Sequence, residues 1–293
     1  MHIIKSIEEA HDYCKQVKAE GKTIATVNTG GDLHKGHMEL VKIAKENADI
    51  VIVMIDFPQE FMLWRKSRFK KREKYYLDND FENDIQITKE NKVDMFFTPS
   101  MWEMYEEKIT NISVTNPYSE ALLKEGKFFN QTFSELLVSP HHILSFIKDF
   151  NILLPDVSML GQKDIYQTMS IVYLLKDFNY KIKPIVVPII RDSSGLPSSS
   201  RNKFLTAGQL KRAMHVCKKL QEVYEWPLNS STNEIKSFLR DALKNARSEV
   251  SFVAIHDYKT GKSLERLERD AVVVVAGVFG ELYLIDNILV KPK

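Results

Sequence analysis

The chain has 293 residues, of which 44% are hydrophobic and 27% charged, a composition typical of a folded globular protein. Its formal net charge is only +2, so it lacks the positive field that favours nucleic acid. The two cysteines, Cys14 and Cys217, form neither a disulfide framework nor a metal-ligand spacing, which fits a reducing compartment. No apolar run reaches the roughly 18 residues of a membrane span, and we expect a cytoplasmic protein.

The first part of the chain predicts a short strand and an amphipathic helix, followed by a strand–loop–helix–strand unit. Ser6 precedes Glu9 at the spacing of a capping box, which marks the start of the first helix. Residues 23–27 and 48–53 are rich in β-branched side chains, as buried strands of a parallel sheet are. This unit is the basic piece of a parallel α/β sheet.

The loop of this unit leads into His34, Gly36 and His37, in the order H-K-G-H, after the glycines Gly30 and Gly31. A helix N-terminus offers unpaired N–H groups and a positive dipole end, which suits a phosphate. Two imidazoles there can donate hydrogen bonds to phosphate oxygens and stabilise charge that develops during transfer. Two histidines on an exposed turn are the simpler interpretation, but the position directly after a glycine loop and a buried strand favours nucleotide binding.

The residues after the second strand of the unit are candidates for substrate and metal binding. Gln59 follows Pro58, which stops the strand, at the edge where open parallel sheets bind ligands. A solvated loop glutamine explains this position equally well. The basic segment 63–74 is explained better by a solvated surface than by nucleic-acid binding, because the chain is nearly neutral. Basic residues near a site for an anionic nucleotide and an acid are a third option. Asp84 is one of several acids on a helix predicted at 75–90 that could help hold a magnesium ion.

The pattern of strand, glycine, polar cluster and helix occurs a second time, at Gly161-Gln162-Lys163-Asp164. Lys163 can meet a phosphate as a point charge, and Asp164 can cap the next helix or bind a ribose hydroxyl. We therefore predict an α/β fold, with a Rossmann-like doubly wound parallel sheet and a smaller C-terminal α+β domain. The other elements predicted for the large domain are strands at 93–97, 157–160 and 181–190 and helices at 141–153 and 165–178.

A segment rich in turn formers and hydroxyl side chains follows the last of these strands. Ser199, Ser200 and Arg201 supply hydroxyl donors and a fixed guanidinium fork for a phosphate. A flexible linker is the usual interpretation of such a stretch, but Pro197 and the terminal Arg-Asn favour a loop that closes over an active site. The predicted domains are a nucleotide- and substrate-binding domain at 1–190 and a lid domain at 191–293. The lid domain is predicted to contain helices at 207–223 and 232–246 and strands at 251–256, 271–277 and 281–285.

Four motifs in this order carry a family resemblance. They are H-x-G-H after a strand, Gln59 after the second strand, G-x-K-D before a helix, and S-S-R-N at the opening of a small C-terminal domain. Together they resemble the pantothenate synthetase (pantoate–β-alanine ligase) family, within the HIGH-motif nucleotidyltransferase superfamily. The resemblance covers nearly the whole chain and includes the late segment Leu284-Ile285-Asp286-Asn287-Ile288.

The resemblance implies a two-step, ATP-dependent ligation. The carboxylate of pantoate attacks the α-phosphate of ATP, which gives pantoyl adenylate and pyrophosphate. The amine of β-alanine then attacks the acyl carbon and releases AMP. The resemblance further implies that Mg²⁺ bridges the phosphates and that the enzyme is a homodimer through its larger domain. Its partners would be small molecules, and neither nucleic acid nor a membrane is expected.

The resemblance also implies a role for each candidate residue. The catalytic set, which stabilises charge on the transferring phosphates, is His34, His37, Lys163 and Arg201. The implied ATP contacts are Gly36, Gly161, Asp164, Ser199 and Ser200. The remaining implied contacts are Gln59 and Gln167 to the hydroxy acid and Asp84 near the magnesium ion.

Three stretches depart from the family pattern. Asn28-Thr29-Gly30-Gly31 stands where the family usually has P-T-M-G, so Gly30 replaces a methionine that packs at the reacting centre. Residues 55–61 move the proline of V-N-P-x-Q-F, and the R-P-G-H-F-x-G stretch is absent. These departures leave open a relative that adenylates another small acid or uses another amine. A nucleotidyltransferase that stops at the nucleotidyl adduct and an idle binding protein are further alternatives.

Overall fold

A computed structural model describes residues 1–55, 81–105, 140–280 and 282–291. The described residues belong to two compact units. The first includes the chain before residue 106 together with Pro140–Gly161 and Ile171–Ile190, and the second includes Gln162–Ser170 and Arg191–Lys293. The domains expected at 1–190 and 191–293 remain a prediction. No helix in the described ranges is both long and apolar enough to cross a lipid bilayer.

The first unit is built on a six-stranded sheet in which all neighbouring strands are parallel. Its strands are β1 (His2–Ile4), β2 (Ile24–Thr29), β3 (Ile50–Ile55), β4 (Met95–Phe97), β5 (Val157–Gly161) and β6 (Lys183–Val187). The helices that accompany them are α1 (Ile7–Ala19), α2 (Lys35–Asn47), α3 (Phe81–Glu90), α4 (Met101–Met104), α5 (Pro140–Leu153) and α6 (Ile165–Asp177). Helix α6 begins in the second unit and ends in the first.

The strand order β1-β4-β3-β2-β5-β6 reverses direction between β2 and β5. Open parallel sheets bind their ligands beyond the carboxyl ends of the strands at such a reversal. The H-K-G-H motif follows β2 and the G-Q-K-D motif follows β5, and these are the two neighbouring strands at which the order reverses. This topology explains why the motifs recur in the sequence with similar composition.

Helices cover both faces of the sheet. Successive residues of each strand point to opposite sides, so each strand contributes side chains to both layers. On one face Val27 packs with Val41 of α2 in an apolar cluster. On the other face Ile24 belongs to a cluster that includes Cys14 of α1 and Leu153 of α5. The central strands therefore read as continuous apolar runs rather than alternating ones. The predicted doubly wound parallel sheet is confirmed.

The second unit contains a three-stranded antiparallel sheet in the order β7-β8-β9. Its elements are α7 (Ala207–Glu222), α8 (Thr232–Asn245), β7 (Glu249–Asp257), β8 (Ala271–Phe279) and β9 (Leu282–Val290). All nine residues of β8 are buried, and one of its faces joins α7 and α8 in a single apolar cluster. The predicted helices and strands of this region are confirmed, although β9 extends further than 281–285 because β8 pairs with its whole length.

Local chemistry determines where several elements begin and end. Ser6 accepts a hydrogen bond from the backbone N–H of Glu9 and caps α1 as expected. Strand β6 ends before Pro188, which has no N–H for the ladder, and is therefore shorter than the predicted 181–190. Between β8 and β9, Gly280 has a φ of 70°, and a Cβ there would collide with the side-chain amide of Gln209.

The two cysteines lie inside the protein, which gives a prediction for the pH dependence of stability. Burial raises the pKa of the Cys14 thiol from 9.0 to about 12. The unfolded chain loses this proton at a lower pH than the folded chain does. The protonated thiol therefore makes its full contribution to the free energy of unfolding below pH 9. This contribution is lost as the pH rises toward 12, by at most about 1.4 kcal/mol per pH unit.

We expect urea unfolding measured from pH 7 to 10.5 to show a free energy of unfolding that declines above about pH 9. The Cys14→Ala variant is the control, because it lacks the thiol but keeps the other buried groups that titrate at high pH. Its decline should be shallower than that of the parent protein. Equal slopes in the two proteins would contradict the assignment of this decline to the Cys14 thiol.

Candidate active site

The loop between β2 and α2 is held in place by a buried carboxylate. The backbone N–H groups of Asp32 and Leu33 donate to the two carboxylate oxygens of Asp84, at 2.8 and 2.7 Å. Asp84 lies in the first turn of α3 and is only 1% exposed. The turn before these amides uses left-handed backbone at Gly31 and Asp32, with φ values of 82° and 55°. The loop that precedes the histidine motif is therefore fixed at two amides.

His34 and His37 cap helix α2 reciprocally. Nδ1 of His34 accepts the backbone N–H of Gly36 at 3.1 Å, and Nδ1 of His37 accepts the backbone N–H of His34 at 3.3 Å. The two rings are stacked, with centroids 4.0 Å apart. A ring nitrogen that accepts an N–H carries no proton, so this geometry assigns both histidines to the neutral form protonated at Nε2. The cap thus turns two imidazoles into hydrogen-bond donors.

Thr29, the last residue of β2, sets the orientation of the second imidazole. Its Oγ1 lies 3.2 Å from Nε2 of His37 and accepts the N–H of Gly31 at 3.2 Å. Because Nε2 of His37 carries the proton, the ring donates to the threonine hydroxyl. The half-buried rings and the N-terminal turn of α2 together form a suitable anion site.

In the second unit, the turn Gln162–Asp164, which carries Lys163, is held by Asn287 of β9. Nδ2 of Asn287 donates to the carbonyl oxygens of Gln162 and Lys163, at 3.0 Å each. Its Oδ1 accepts the side-chain amide of Gln162 at 3.2 Å. Asn287 is fully buried, and these bonds engage both its amide hydrogens and its oxygen. The position of Lys163 is therefore determined by a residue of the last strand.

A pocket in the second unit brings together two predicted groups that are distant in sequence. It is lined by Lys163, Ser199 and Arg201, with apolar residues such as Val216 and Phe279 behind them. Ser199 Oγ accepts the backbone N–H of Arg201 at 3.3 Å and caps the short 3₁₀ turn Ser200–Phe204. Two cationic side chains over apolar walls provide a strong electrostatic site for a phosphate group.

The loop that carries Ser199 and Arg201 is anchored by an ion pair. The guanidinium of Arg191 donates to both carboxylate oxygens of Asp286 on β9, at 2.8 and 2.9 Å, and to the carbonyl oxygen of Gly195 at 3.0 Å. Burial acts to lower the pKa of Arg191, but the hydrogen bond and the charge of Asp286 outweigh it and raise the pKa. The pair therefore stays ionised and holds the start of the loop against β9.

The chain is similar to known proteins over nearly its whole length. Residues 2–289 match the family model described as pantoate–β-alanine ligase. The chain belongs to the pantoate–β-alanine ligase family. The pantothenate synthetase of Buchnera aphidicola subsp. Schizaphis graminum is 32% identical over 296 residues, which cover 98% of both chains. That of Geobacillus sp. is 31% identical over 294 residues, again with 98% of both chains covered.

Solved structures are similar over the same length. The pantoate–β-alanine ligase of Francisella tularensis, complexed with beta-gamma ATP and β-alanine, matches with a TM-score of 0.72 and 26% identity. The match covers 99% of this chain and 97% of that one. The pantothenate synthetase of Thermus thermophilus has the same fold, with a TM-score of 0.78. Members of this family are ATP-dependent ligases that form a C–N bond, so the predicted family, fold, activity and use of ATP are confirmed.

The structure places the predicted site residues in two sets, one in each unit. In the first unit His34, Gly36 and His37 occupy the N-terminus of α2, and Gly161 ends β5. The set in the second unit consists of Lys163, Asp164, Gln167, Ser199, Ser200 and Arg201. Within that set Lys163 Nζ lies 3.3 Å from Asp164 Oδ1, and Gln167 is half-buried in the first turn of α6. Gln59 lies outside the described residues, as does the basic segment 63–74.

Asp84 has a different environment from the one expected of a metal ligand. Both of its carboxylate oxygens accept backbone N–H groups of the loop before α2. Among the residues that the structure describes, no group of three or more His, Cys, Asp or Glu side chains could hold a metal ion. We assign Asp84 to positioning the loop, and its binding of magnesium remains a prediction.

Sequence reasoning missed the residues that hold the site residues in place, namely Thr29, Arg191, Asp286 and Asn287. A signal for two of them is present in the sequence. Asp286 and Asn287 are adjacent polar residues inside an apolar strand, and buried polar groups are stable only when hydrogen-bonded. The pattern therefore indicates specific partners. It does not say which partners they are.

The positioning role of Asp84 can be separated from metal binding. Asp84→Asn replaces one acceptor oxygen by an NH₂ group that faces a backbone N–H, so we expect a loss of about 2–3 kcal/mol in the free energy of unfolding. AMP formation should fall on the order of tenfold as the loop shifts. The Mg²⁺ concentration for half-maximal rate should stay unchanged. The exposed Glu82→Gln in the same helical turn is the matched control. A large rise in the Mg²⁺ requirement would contradict the positioning role.

Asn287 is expected to act through Lys163. Asn287→Asp keeps the shape of the side chain but removes both donors to the Gln162–Asp164 turn, so kcat should fall on the order of tenfold or more. If the effect passes through Lys163, Asn287→Asp should cost little further activity in a Lys163→Ala background. Additive losses of activity in the double variant would overturn this role. The exposed Asn245→Asp on α8 serves as the control.

Proposed function

We propose that this chain condenses pantoate with β-alanine through a pantoyl adenylate, using ATP and releasing AMP and pyrophosphate. The observation that carries the proposal is the pocket in which Lys163, Ser199 and Arg201 come together, in a chain of the pantoate–β-alanine ligase family. The capped histidine pair of the first unit supports it, because its geometry makes both rings neutral donors.

The chemistry of this reaction suits residues that bind and orient. The attacking group is the carboxylate of the acid, so the enzyme needs no nucleophile of its own. Adenylation requires the carboxylate in line with the α-phosphorus and stabilisation of charge as pyrophosphate leaves. In the proposed reaction the Nε2–H groups of His34 and His37 donate to phosphate oxygens. A phosphate oxygen would share the Nε2–H of His37 with the hydroxyl of Thr29.

The cationic side chains have a complementary role. Lys163 and Arg201 would stabilise negative charge on the phosphates, and the apolar walls of their pocket strengthen this interaction by lowering the local dielectric. The remaining ATP contacts are assigned by resemblance to Gly36, Gly161, Asp164, Ser199 and Ser200. Within the described residues no atom lies within 4 Å of a Cβ built on Gly161, so there is space for a ligand beside it. Gln167 and Gln59 are assigned to the hydroxy acid.

Magnesium is proposed to enter with ATP. Mg²⁺ usually keeps several waters and binds through substrate phosphates with one or two carboxylates rather than in an all-protein cage. The absence of a cluster of ligating side chains from the described residues fits this mode. The metal would neutralise charge on the phosphates, while this chain's lysine, arginine and histidines hold the phosphate oxygens.

We also propose, from the family resemblance, that the chain acts as a cytoplasmic homodimer on small molecules. The two free, buried cysteines are compatible with a reducing compartment. The proposed domains are 1–190 for nucleotide and substrate binding and 191–293 for the lid. Size-exclusion chromatography with light scattering tests the dimer directly.

The proposed function predicts AMP formation from ATP, Mg²⁺ and pantoate that depends on β-alanine. His34→Ala and Arg201→Ala should each lower kcat by roughly 10²–10³-fold, because each removes a group that stabilises transition-state charge. His215→Ala, an exposed histidine on α7, should behave as the parent does. AMP and amide are measured together by chromatography.

Other results would identify the alternatives. Pyrophosphate exchange with pantoate but no amide would mean that a different amine is used. No exchange with pantoate would mean that another acid is the substrate, for which Gly30 provides the structural reason. A Cβ on Gly30 meets no described atom within 4 Å, so the site has room where the family pattern has a methionine. A series of small hydroxy acids of increasing size would then be tested in the exchange assay.

A further inference from the structure

The last two residues of β2 are tied to opposite layers of the first unit. Asn28 Nδ2 donates to Oδ2 of Asp149 in α5 at 2.7 Å. Thr29 Oγ1, on the other side of the strand, accepts from Nε2 of His37 in α2. Successive residues of a strand point to opposite faces, so these contacts hold the end of β2 from both sides. The strand end is therefore fixed directly beside the residue that orients His37.

The Asn28–Asp149 pair lies in surroundings that do not favour a carboxylate. Asp149 is 1% exposed and is followed in α5 by the buried Phe150, while Met54, beside Asn28, is fully buried. A buried carboxylate is costly unless it is hydrogen-bonded, and a well-packed apolar pair is often as stable as a buried polar one. Stability alone therefore gives no reason for an aspartate here. A hydrogen bond differs from an apolar contact because it also specifies distance and direction.

The consequence for the active site follows from the covalent chain. The amide of Asn28 and the hydroxyl of Thr29 belong to consecutive residues, so a shift of the strand end moves the acceptor of the His37 proton. Displacements of about 1 Å at such positions can lower rates by about 10²-fold. Asn28 also opens the stretch in which this sequence departs from the family pattern P-T-M-G, and a proline, which has no side-chain amide, could not donate this bond.

We propose that Asn28 and Asp149 form a positioning pair, which holds the end of β2 so that Thr29 orients His37 for phosphate binding. This inference rests on the proposed function for its catalytic consequence. The pair itself does not touch substrate. Its effect passes through Thr29 to the imidazole, and from there to the rate of adenylation.

An exchange of donor and acceptor tests the pair. The variants are Asn28→Asp, Asp149→Asn and the double exchange, in the full-length protein. Asn28→Asp places two carboxylates against each other across the contact, so kcat for ATP–pyrophosphate exchange should fall about tenfold, with a smaller change in KM for ATP. Asp149→Asn keeps an amide oxygen that can still accept the bond from Asn28, so its loss of kcat should be smaller. The double exchange restores a donor opposite an acceptor and should recover kcat to within about threefold of the parent. Asn151→Ala, an exposed hydrogen-bonding residue on the same helix, is the matched control.

A second variant separates positioning from folding. Asp149→Leu removes the buried charge but leaves the Asn28 amide without its acceptor, so its melting temperature should fall moderately below that of the parent. At a temperature where the variant is still fully folded, its kcat should nevertheless be lower than that of the parent. The ring ¹⁵N and Nε2–H resonances of His37, measured without substrate, should shift in Asp149→Leu and return in the double exchange. This spectroscopic readout does not require the proposed reaction, so an inactive parent protein would refute the proposed function without affecting the test of the pair.

Three results would overturn the proposal. One is an unchanged kcat in Asp149→Leu. Another is a double exchange that recovers the melting temperature but leaves kcat at the level of Asn28→Asp. The third is a His37 resonance that does not respond to any change at Asn28 or Asp149. Each would leave the pair with a structural role only.

Discussion

A buried polar side chain must be hydrogen-bonded, and the candidate site of this chain depends on that constraint. Asp84 can be buried because its carboxylate accepts two amides of the loop before α2. Asp286 is buried against the guanidinium that anchors the loop of Ser199 and Arg201. Asn287 can be buried because its amide donates to two carbonyl oxygens of the turn that carries Lys163. The polar residues inside the apolar layers thus hold the backbone that carries the site.

The histidine motif shows how local structure sets a chemical state. Helix α2 needs acceptors for its first N–H groups, and Nδ1 of His34 provides one while Nδ1 of His37 binds back to the residue before the helix. The same bonds direct the remaining ring proton to Nε2 in both residues. Neutral rings that donate from Nε2 suit phosphate oxygens, whose charge is then balanced by Lys163, Arg201 and magnesium in the proposed reaction. In the proposed reaction, capping and phosphate binding are therefore two uses of one arrangement.

The first departure from the family pattern, at Asn28-Thr29-Gly30-Gly31, falls next to this arrangement. Asn28 and Gly30 occupy positions where the pattern has a proline and a methionine, and the structure gives each a physical consequence. Asn28 gains a hydrogen bond to a helix on the opposite face of the sheet. A Cβ on Gly30 would meet no atom of the described residues within 4 Å.

The sequence by itself determined most of the strands and helices of the described regions, the doubly wound sheet, and the positions of the H-K-G-H and G-Q-K-D motifs, because periodicity, turn residues and helix starts are properties of neighbouring residues. Tertiary structure decided which side chains hold those motifs. Asp84 meets Asp32 across 52 positions, and Asn287 meets Gln162 across 125. It also gave Asp84 the role of a loop anchor, while its binding of magnesium remains a prediction. A polar residue in an apolar stretch indicates that partners are needed, but only the packing of distant segments selects which N–H or C=O group meets it.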